Sequence, residues 1–385
     1  MPDVSTCAVL EEQYPNLITM TPFDIWKEIF DDNIMHYVRE QSILYATRDK
    51  NVTNFSLSEE ELRNFIGIIY FSGYHTVPSE CDYWCNQPDL HVDFVSQVMS
   101  RNRFQTIKRF IHLADNQRLV VGDKAAKVTP LYDMINRNLV QFGIPWKDLS
   151  IDESMVPYRG RYSARQFIRG KPIRFGFKIW TLASSTGYPL HLKIYTGRET
   201  GTVVGTLGAR VTNQLLAVVE ENSNISSHEI FFDNLFTGFD LMDDLSRRGF
   251  RATGTIRENR TAGASNVFTA TKKFKGLDRG KYEVCSNNNV VITKWHDNSV
   301  VHIMSTTHAV DPIHIVKRRN KGSQVNVPQP HCVFKYNKGM GGVITSSVKS
   351  GQSNAVLTSF FDARLSSKLE KAQDIQQSTI VDSNV

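Results

Sequence analysis

Cysteine is scarce in this chain: five in 385 residues, at positions 7, 81, 85, 285 and 332. So few thiols, so scattered, exclude a disulfide scaffold and fit a reducing compartment. Only Cys81 and Cys85, with His91 after them, lie close together, and no second pair completes the four ligands of a structural zinc site. The two thiols are expected to be buried in a helical region. Long apolar runs are missing too. No stretch approaches the roughly 20 residues of a membrane span, and Met1 is not followed by the basic and apolar regions of a secretory signal. These absences predict a soluble, intracellular protein with no membrane partner.

A third absence is local. From Ser154 to Lys178 there is no Asp or Glu, and the charged residues are Arg159, Arg161, Arg165, Arg169, Lys171, Arg174 and Lys178. Just before this run stands Leu149-Ser150-Ile151-Asp152-Glu153, which reads as a short apolar strand ending in a carboxylate. An acid at a strand end can hold a metal ion, and a basic surface beside it can hold a polyanion. Over the whole chain the net charge is only +6, with 41% hydrophobic and 22% charged residues, ordinary for a folded protein. The sign is uneven, however. Residues 1–100 are rich in Asp and Glu, while Arg101–Lys338 carries most of the excess Lys and Arg, as in a chain with one half facing nucleic acid.

The first part has helical periodicity. Thr21-Pro22 reads as an N-cap followed by Pro at the first helical position. Ser58-Glu59-Glu60-Glu61 is a capping box, and Leu62, Phe65, Ile66 and Ile69 after it form an apolar stripe. Further helices are expected over Val92–Met99, Arg103–Leu113 and Leu131–Phe142. Near Pro145 the period changes. A strand is expected at Leu149–Asp152. In Ile173–Leu182, apolar Ile173, Phe175, Phe177 and Ile179 alternate with Arg174, Gly176 and Lys178. A second alternating strand spans Leu190–Tyr195. Then come a helix near Val211–Glu221, a strand Glu229–Asp233 ending in a second Asp, a helix near Phe236–Arg248 and a strand Phe250–Gly254. This order predicts an α/β (α+β) protein with helices packed on a mixed sheet, as in a ribonuclease-H-like domain. In that fold Asp152 and Asp233 would lie side by side. Strands at Val290–Trp295 and Val300–Met304 belong to a basic, β-rich segment. The expected divisions are 1–145, helical; 146–260, the ribonuclease-H-like core; 261–343, the β-rich insertion and return to the core; and 344–385, a polar, Ser-rich and disordered tail.

Asp152 and Asp233 are the candidate catalytic and metal-binding pair, because a divalent ion needs at least two carboxylate oxygens. The competing reading makes both acids solvated strand-end or helix-capping residues. The basic run, together with Arg257 and Arg260 in Gly254–Arg260, supplies candidate DNA contacts of a kind that position phosphates rather than read bases. Lys317-Arg318-Arg319 reads as a nuclear localisation signal, a phosphate contact or a solvated cluster.

Several segments carry a family resemblance. They include Asp82-Tyr83-Trp84, Met99-Ser100-Arg101-Asn102-Arg103-Phe104, His112-Leu113-Ala114-Asp115-Asn116, Ile151-Asp152-Glu153-Ser154-Met155, Phe232-Asp233-Asn234-Leu235-Phe236-Thr237 and Tyr336-Asn337-Lys338-Gly339-Met340-Gly341-Gly342-Val343. In these, and in their order, the chain resembles the piggyBac-type DDE transposases and the host proteins derived from them. The resemblance implies a ribonuclease-H-like catalytic domain with an insertion, a helical dimerisation and DNA-binding region, nuclear location and Mg-dependent DNA cleavage and transfer. It also implies that Asp152 is the first metal-binding Asp and Asp233 the second. The third should follow Val343, where this chain has Ile344, and the further Asp usual three residues later is Ser347. The matching motifs end at Val343, which suggests a C-terminally truncated or alternative product with a vestigial acid pair that binds Mg weakly. The main expectation is a DNA-binding protein without transposase catalysis. The alternatives are an active transposase, and a dimerisation module that pairs with itself or with a full-length relative.

Overall fold

The computed structural model describes residues 10–169, 173–197, 204–287, 289–320 and 322–343. Among the described residues, the N-terminal block includes the helices α1 (Pro22–Ile29), α2 (Asp32–Leu44), α3 (Glu59–Ser72), α4 (Asp93–Val98), α5 (Arg101–Phe110) and α6 (Thr129–Leu139). The capping signals work as the sequence suggests. The Thr21 hydroxyl accepts from the Asp24 amide at 3.2 Å while the Asp24 carboxylate accepts from the Thr21 amide at 3.1 Å. Ser58 and Glu61 make the same reciprocal pair before α3. The stripe Leu62, Phe65, Ile66 and Ile69 is buried against Ile34, Met35, Val38, Ile107 and Leu131. Helix α5 starts earlier than expected because Ser100 caps it, and it stops at Phe110, where Ile111 turns extended. One expectation fails here: Cys81 is exposed and Cys85 half-buried. Cys81 lies within a short 3-10 turn (Glu80–Trp84) whose buried residue is Tyr83, and Cys85 caps its end.

After Pro145 the chain builds a sheet. Its strands are β1 (Asp148–Pro157), β2 (Gln166–Phe167), β3 (Phe175–Ser184), β4 (Pro189–Ile194), β5 (Glu229–Phe232), β6 (Arg251–Thr255), β7 (Tyr282–Ser286), β8 (Val291–His296) and β9 (Val300–Ser305). In space they run β2-β3-β1-β5-β6-β9-β8-β7, with β4 also paired to β3. The β1–β5 and β5–β6 pairs are parallel and the others antiparallel, so the sheet is mixed. The β-rich segment after residue 261 continues this sheet: β9 joins β6 at Thr253↔Ser305 and Gly254↔Met304. A separate hairpin, β10 (His314–Asn320) with β11 (Ser323–Gln329), follows.

Helices α7 (Leu207–Asn222) and α8 (Phe239–Arg247) cover one face of the sheet, where Leu149, Ile151, Ile230 and Phe232 meet Leu215, Val219, Met242 and Leu245. Fully burying a side chain such as Phe232 is worth roughly 1.5–3 kcal/mol. After the short helix α9 (Thr271–Phe274), helix α10 (His331–Gly339) covers the opposite face. Close approach there requires glycine. A Cβ on Gly339 would stand 2.3 Å from the Phe231 ring, and one on Gly342 would stand 2.1 Å from the Ser184 carbonyl and 2.5 Å from Ser150 Oγ. Among the described residues, no helix is long and apolar enough to cross a membrane.

Candidate functional site

Strands β1 and β5 run parallel, and their last paired residues are Ile151 and Phe232. Asp152 and Asp233 come next, so they lie at the same level on neighbouring chain segments. Alternation decides the face. Leu149 and Ile151 point into the core under α7 and α8, which turns Ser150 and Asp152 towards the α10 side. Asp152 is 7% exposed, and its Oδ1 accepts from the Glu153 amide at 2.8 Å. Asp233 Oδ1 accepts from the Leu235 amide at 2.7 Å, closing an Asx turn. Helix α8 is capped at Gly238, so Asp233 is not its cap.

Strand β1 is longer than expected. Its pairing with β3 runs from Leu149↔Ser184 to Pro157↔Gly176, well past the polar Glu153 and Ser154 that break the apolar pattern. Asp152 therefore ends the β1–β5 ladder but stands in the middle of β1. It is not a strand-end acid in the sense the sequence suggests.

The turn after Asp233 is held from several sides. Arg260 donates to the carbonyls of Asn234 and Leu235, both at 3.0 Å, and Arg257 donates to Asn234 Oδ1 at 2.9 Å. Gly254 lies against Thr237 Oγ1 and the Phe232 carbonyl, where a Cβ would be 2.4 and 2.8 Å away. Arg260 thus serves at least partly as a brace for the Asp233 turn, a role its sequence context does not reveal.

Two further residues escaped the sequence reading. Tyr336 on α10 has its hydroxyl 3.4 Å from Thr255 Oγ1. Burial, with the negative charges of Asp233 and Asp152 adding to it, pushes the phenol up to about 12. The charge of the acid pair is therefore felt on α10. Glu229, at the other end of β5, is buried among cations. It accepts from His308 Nε2 at 2.9 Å and lies 3.0 Å from Lys335 Nζ, 3.4 Å from Lys147 Nζ and against the Arg251 guanidinium. Burial alone would raise its pKa. The hydrogen bonds and charges of His308 and Lys335 outweigh that and hold the carboxyl well below the usual carboxylate range. An acid opening an otherwise apolar Glu-Ile-Phe-Phe strand was the available signal, since a buried carboxylate needs partners.

The basic run falls into two groups. Arg159, Arg161, Arg169 and Arg174 are exposed. Arg165 is half-buried, donates to the carbonyls of Arg159 and Gly160, and lies over the Phe175 ring at 5.1 Å. Lys178 is engaged internally: its ammonium is 3.9 Å from the Trp180 ring centroid and 3.6 Å from Glu153. Strand alternation turns Lys178 to the same side as buried Trp180. Lys171 and Ile344 lie outside the described residues. The exposed arginines flank the far end of β1, about 17 Å from Asp152 at roughly 3.3 Å per strand residue. In the Lys317–Arg319 cluster, Arg318 is paired with Asp297.

The donor set around the acid pair is short. Among the described residues, no group of three or more His, Cys, Asp or Glu side chains is placed to hold a metal ion.

Residues 21–378 match the family model described as Transposase IS4. Over 330 residues the chain is 35% identical to human PiggyBac transposable element-derived protein 3, covering 85% of this chain and 55% of that one. The chain belongs to the piggyBac transposase family. Human PiggyBac transposable element-derived protein 2 is 32% identical over 333 residues, 84% of this chain and 55% of that one. The chain thus spans about half the length of the curated relatives it matches. Its fold matches that of a piggyBac transposase, solved by cryo-EM as a synaptic complex with hairpin DNA, at a TM-score of 0.69 and 22% identity, covering 88% of this chain and 73% of that one. The family match runs on to residue 378, past Val343, where the residue-by-residue motifs stop.

Proposed function

We propose that this member of the piggyBac family is a nuclear, transposase-derived DNA-binding protein that does not carry out transposase catalysis. The observation that carries the DNA reading is the edge of the sheet at β2, where Arg159, Arg161, Arg169 and Arg174 are exposed within a stretch that contains no acid. A polyanion meets no opposing charge from that stretch, and guanidinium groups suit phosphate oxygens. The solved relative was captured in a complex with hairpin DNA, which supports the same reading. Ribonuclease-H-like ancestry for the core is supported by its strand order, an antiparallel β4-β3-β1 group continued by parallel β5 and β6.

The loss of catalysis rests on Ile344, an aliphatic residue where the family pattern has its third acid. Asp152 and Asp233 could supply two carboxylates to one Mg ion, which would give Lewis-acid assistance at a phosphate. They do not by themselves complete the donor set that a pair of ions needs. The helical block carries the proposed pairing with a second copy or a longer relative. The exposed Phe23 and Ile25, beside Trp26, offer apolar surface for it.

Salt titration tests the DNA reading. If four arginines meet phosphates, the affinity for duplex DNA falls with salt with a log–log slope on the order of 3–4. Affinity independent of salt, or no binding at low salt, removes DNA as the partner and leaves the dimerisation module.

A further inference from the structure

The edge that carries the exposed arginines also exposes two phenylalanines. Phe167 on β2 and Phe175 on β3 are paired directly across the antiparallel ladder. Their ring centroids are 4.8 Å apart with planes tilted by 38°. Phe167 is 57% exposed and Phe175 47%. Phe175 belongs to the same face of β3 as Phe177 and Ile179, which are buried with Tyr132, Val156 and Tyr158. That apolar row therefore runs out of the core and ends in open solvent. Arg165 stacks over Phe175 and is tethered by two backbone carbonyls, while Arg169 and Arg174 flank the pair.

We propose that this hairpin takes unpaired nucleobases, with Phe167 and Phe175 as the stacking platform and Arg165, Arg169 and Arg174 holding the adjoining phosphates. The inference rests on the DNA-binding reading and narrows it to single-stranded segments. Phenylalanine has no polar handle and is costly to leave in water, so an exposed cross-strand pair calls for an apolar or aromatic partner. Charge selects among such partners. A second copy would bring the same arginines and be repelled, whereas a nucleic acid brings π-faces and phosphates together. In a duplex the base faces are covered by their neighbours; only an unpaired or extruded base offers one to a side chain.

The test uses the full chain and two labelled probes, a mixed-sequence single strand and the same sequence as a blunt duplex. The double variant Phe167→Ala/Phe175→Ala is expected to weaken single-strand binding about 10-fold or more, since each base stack contributes that order. It should leave the duplex affinity within about twofold and the salt slope unchanged. The variant Phe167→Tyr/Phe175→Tyr, which keeps the rings, should restore single-strand binding and so excludes misfolding as the cause. Arg169→Ala/Arg174→Ala should weaken both probes and lower the salt slope by about 2. Equal loss on both probes in the Ala variant, or unchanged single-strand binding, overturns the stacking platform while leaving DNA binding intact. If the unaltered protein binds neither probe, the DNA reading itself fails.

Discussion

The two ends of β5 carry acids with opposite surroundings. At its start, Glu229 is enclosed by Lys147, Arg251, His308 and Lys335. Just past its end, Asp233 accepts from the amide of its own turn, and with Asp152 it is close enough to Tyr336 to help raise the phenol's pKa. The first acid is neutralised by long-range cations and ties β5 to β1, β6 and α10. The second is positioned by backbone and by the brace of Arg260. A carboxylate saturated with cations stabilises a fold. The pair Asp152 and Asp233, level at the end of the β1–β5 ladder, is in the proposed reading what remains of a cation site.

The comparison breaks if the two acids prove equally important for stability. Glu229→Gln leaves the largely buried Lys335 without its counter-charge and is expected to cost about 3–5 kcal/mol in chemical denaturation. Asp233→Asn keeps an acceptor for the Leu235 amide and should cost under about 1 kcal/mol. Equal losses would mean that the pair at Asp152 and Asp233 is structural as well.

Next in size is the seating of α10. Gly342→Ala and Gly339→Ala each place a Cβ inside van der Waals contact with β-strand atoms. Each should destabilise by about 1–3 kcal/mol and shift the Tyr336 environment, readable by its fluorescence or ring resonances. A melting temperature unchanged by both would show that α10 is not packed as described.

Acid pH sharpens the contrast further. Glu229 titrates near 4.3 in an unfolded chain and well below the usual range when folded. Its stabilising contribution is therefore full above about pH 5 and is lost as pH falls below the unfolded value towards the folded one. Stability curves from pH 7 to 3 should fall more steeply for the unaltered chain than for Glu229→Gln in the acid range. Burial also pulls the His228 pKa down. That contribution is lost earlier, as pH falls through about 6.5, so His228→Gln should flatten only the upper part of the curve. The smallest expected effect on folding is at the basic edge. Arg159→Ala/Arg161→Ala should leave stability within about 0.5 kcal/mol while lowering the salt slope of DNA binding by about 2.

Local signals in the sequence translated well where the physics is local. Thr21-Pro22 and Ser58–Glu61 mark helix starts because capping involves residues three apart. The alternation in β3 and β4 predicted strands, although β3 is packed on both faces, with Phe177 and Ile179 buried on one side and Trp180 and Leu182 on the other. The second half of β1 was not legible: Glu153 and Ser154 interrupt the apolar pattern, and only the β3 ladder keeps the strand going. The partners of Glu229 lie at positions 147, 251, 308 and 335, and no window of sequence joins them. Lys178 looked like one more outer cation, but it faces Trp180 and Glu153 because β1 and β3 pair in the register that brings them together. Arg260 looked like a phosphate contact, and its hydrogen bonds to Asn234 and Leu235 appear only once the turn after Asp233 is folded. The level placement of Asp152 and Asp233 followed from the strand order and the family resemblance together, whereas no periodicity points to either acid.

The proposal is that this piggyBac relative binds DNA but lacks a complete active site. It is tested most directly by a nicking assay with Mg or Mn on supercoiled DNA, at protein concentrations where binding is saturated. Bound DNA without metal-dependent nicks is expected, and Asp152→Ala should be indistinguishable from the unaltered chain. Metal-dependent nicking that Asp152→Ala abolishes would contradict it.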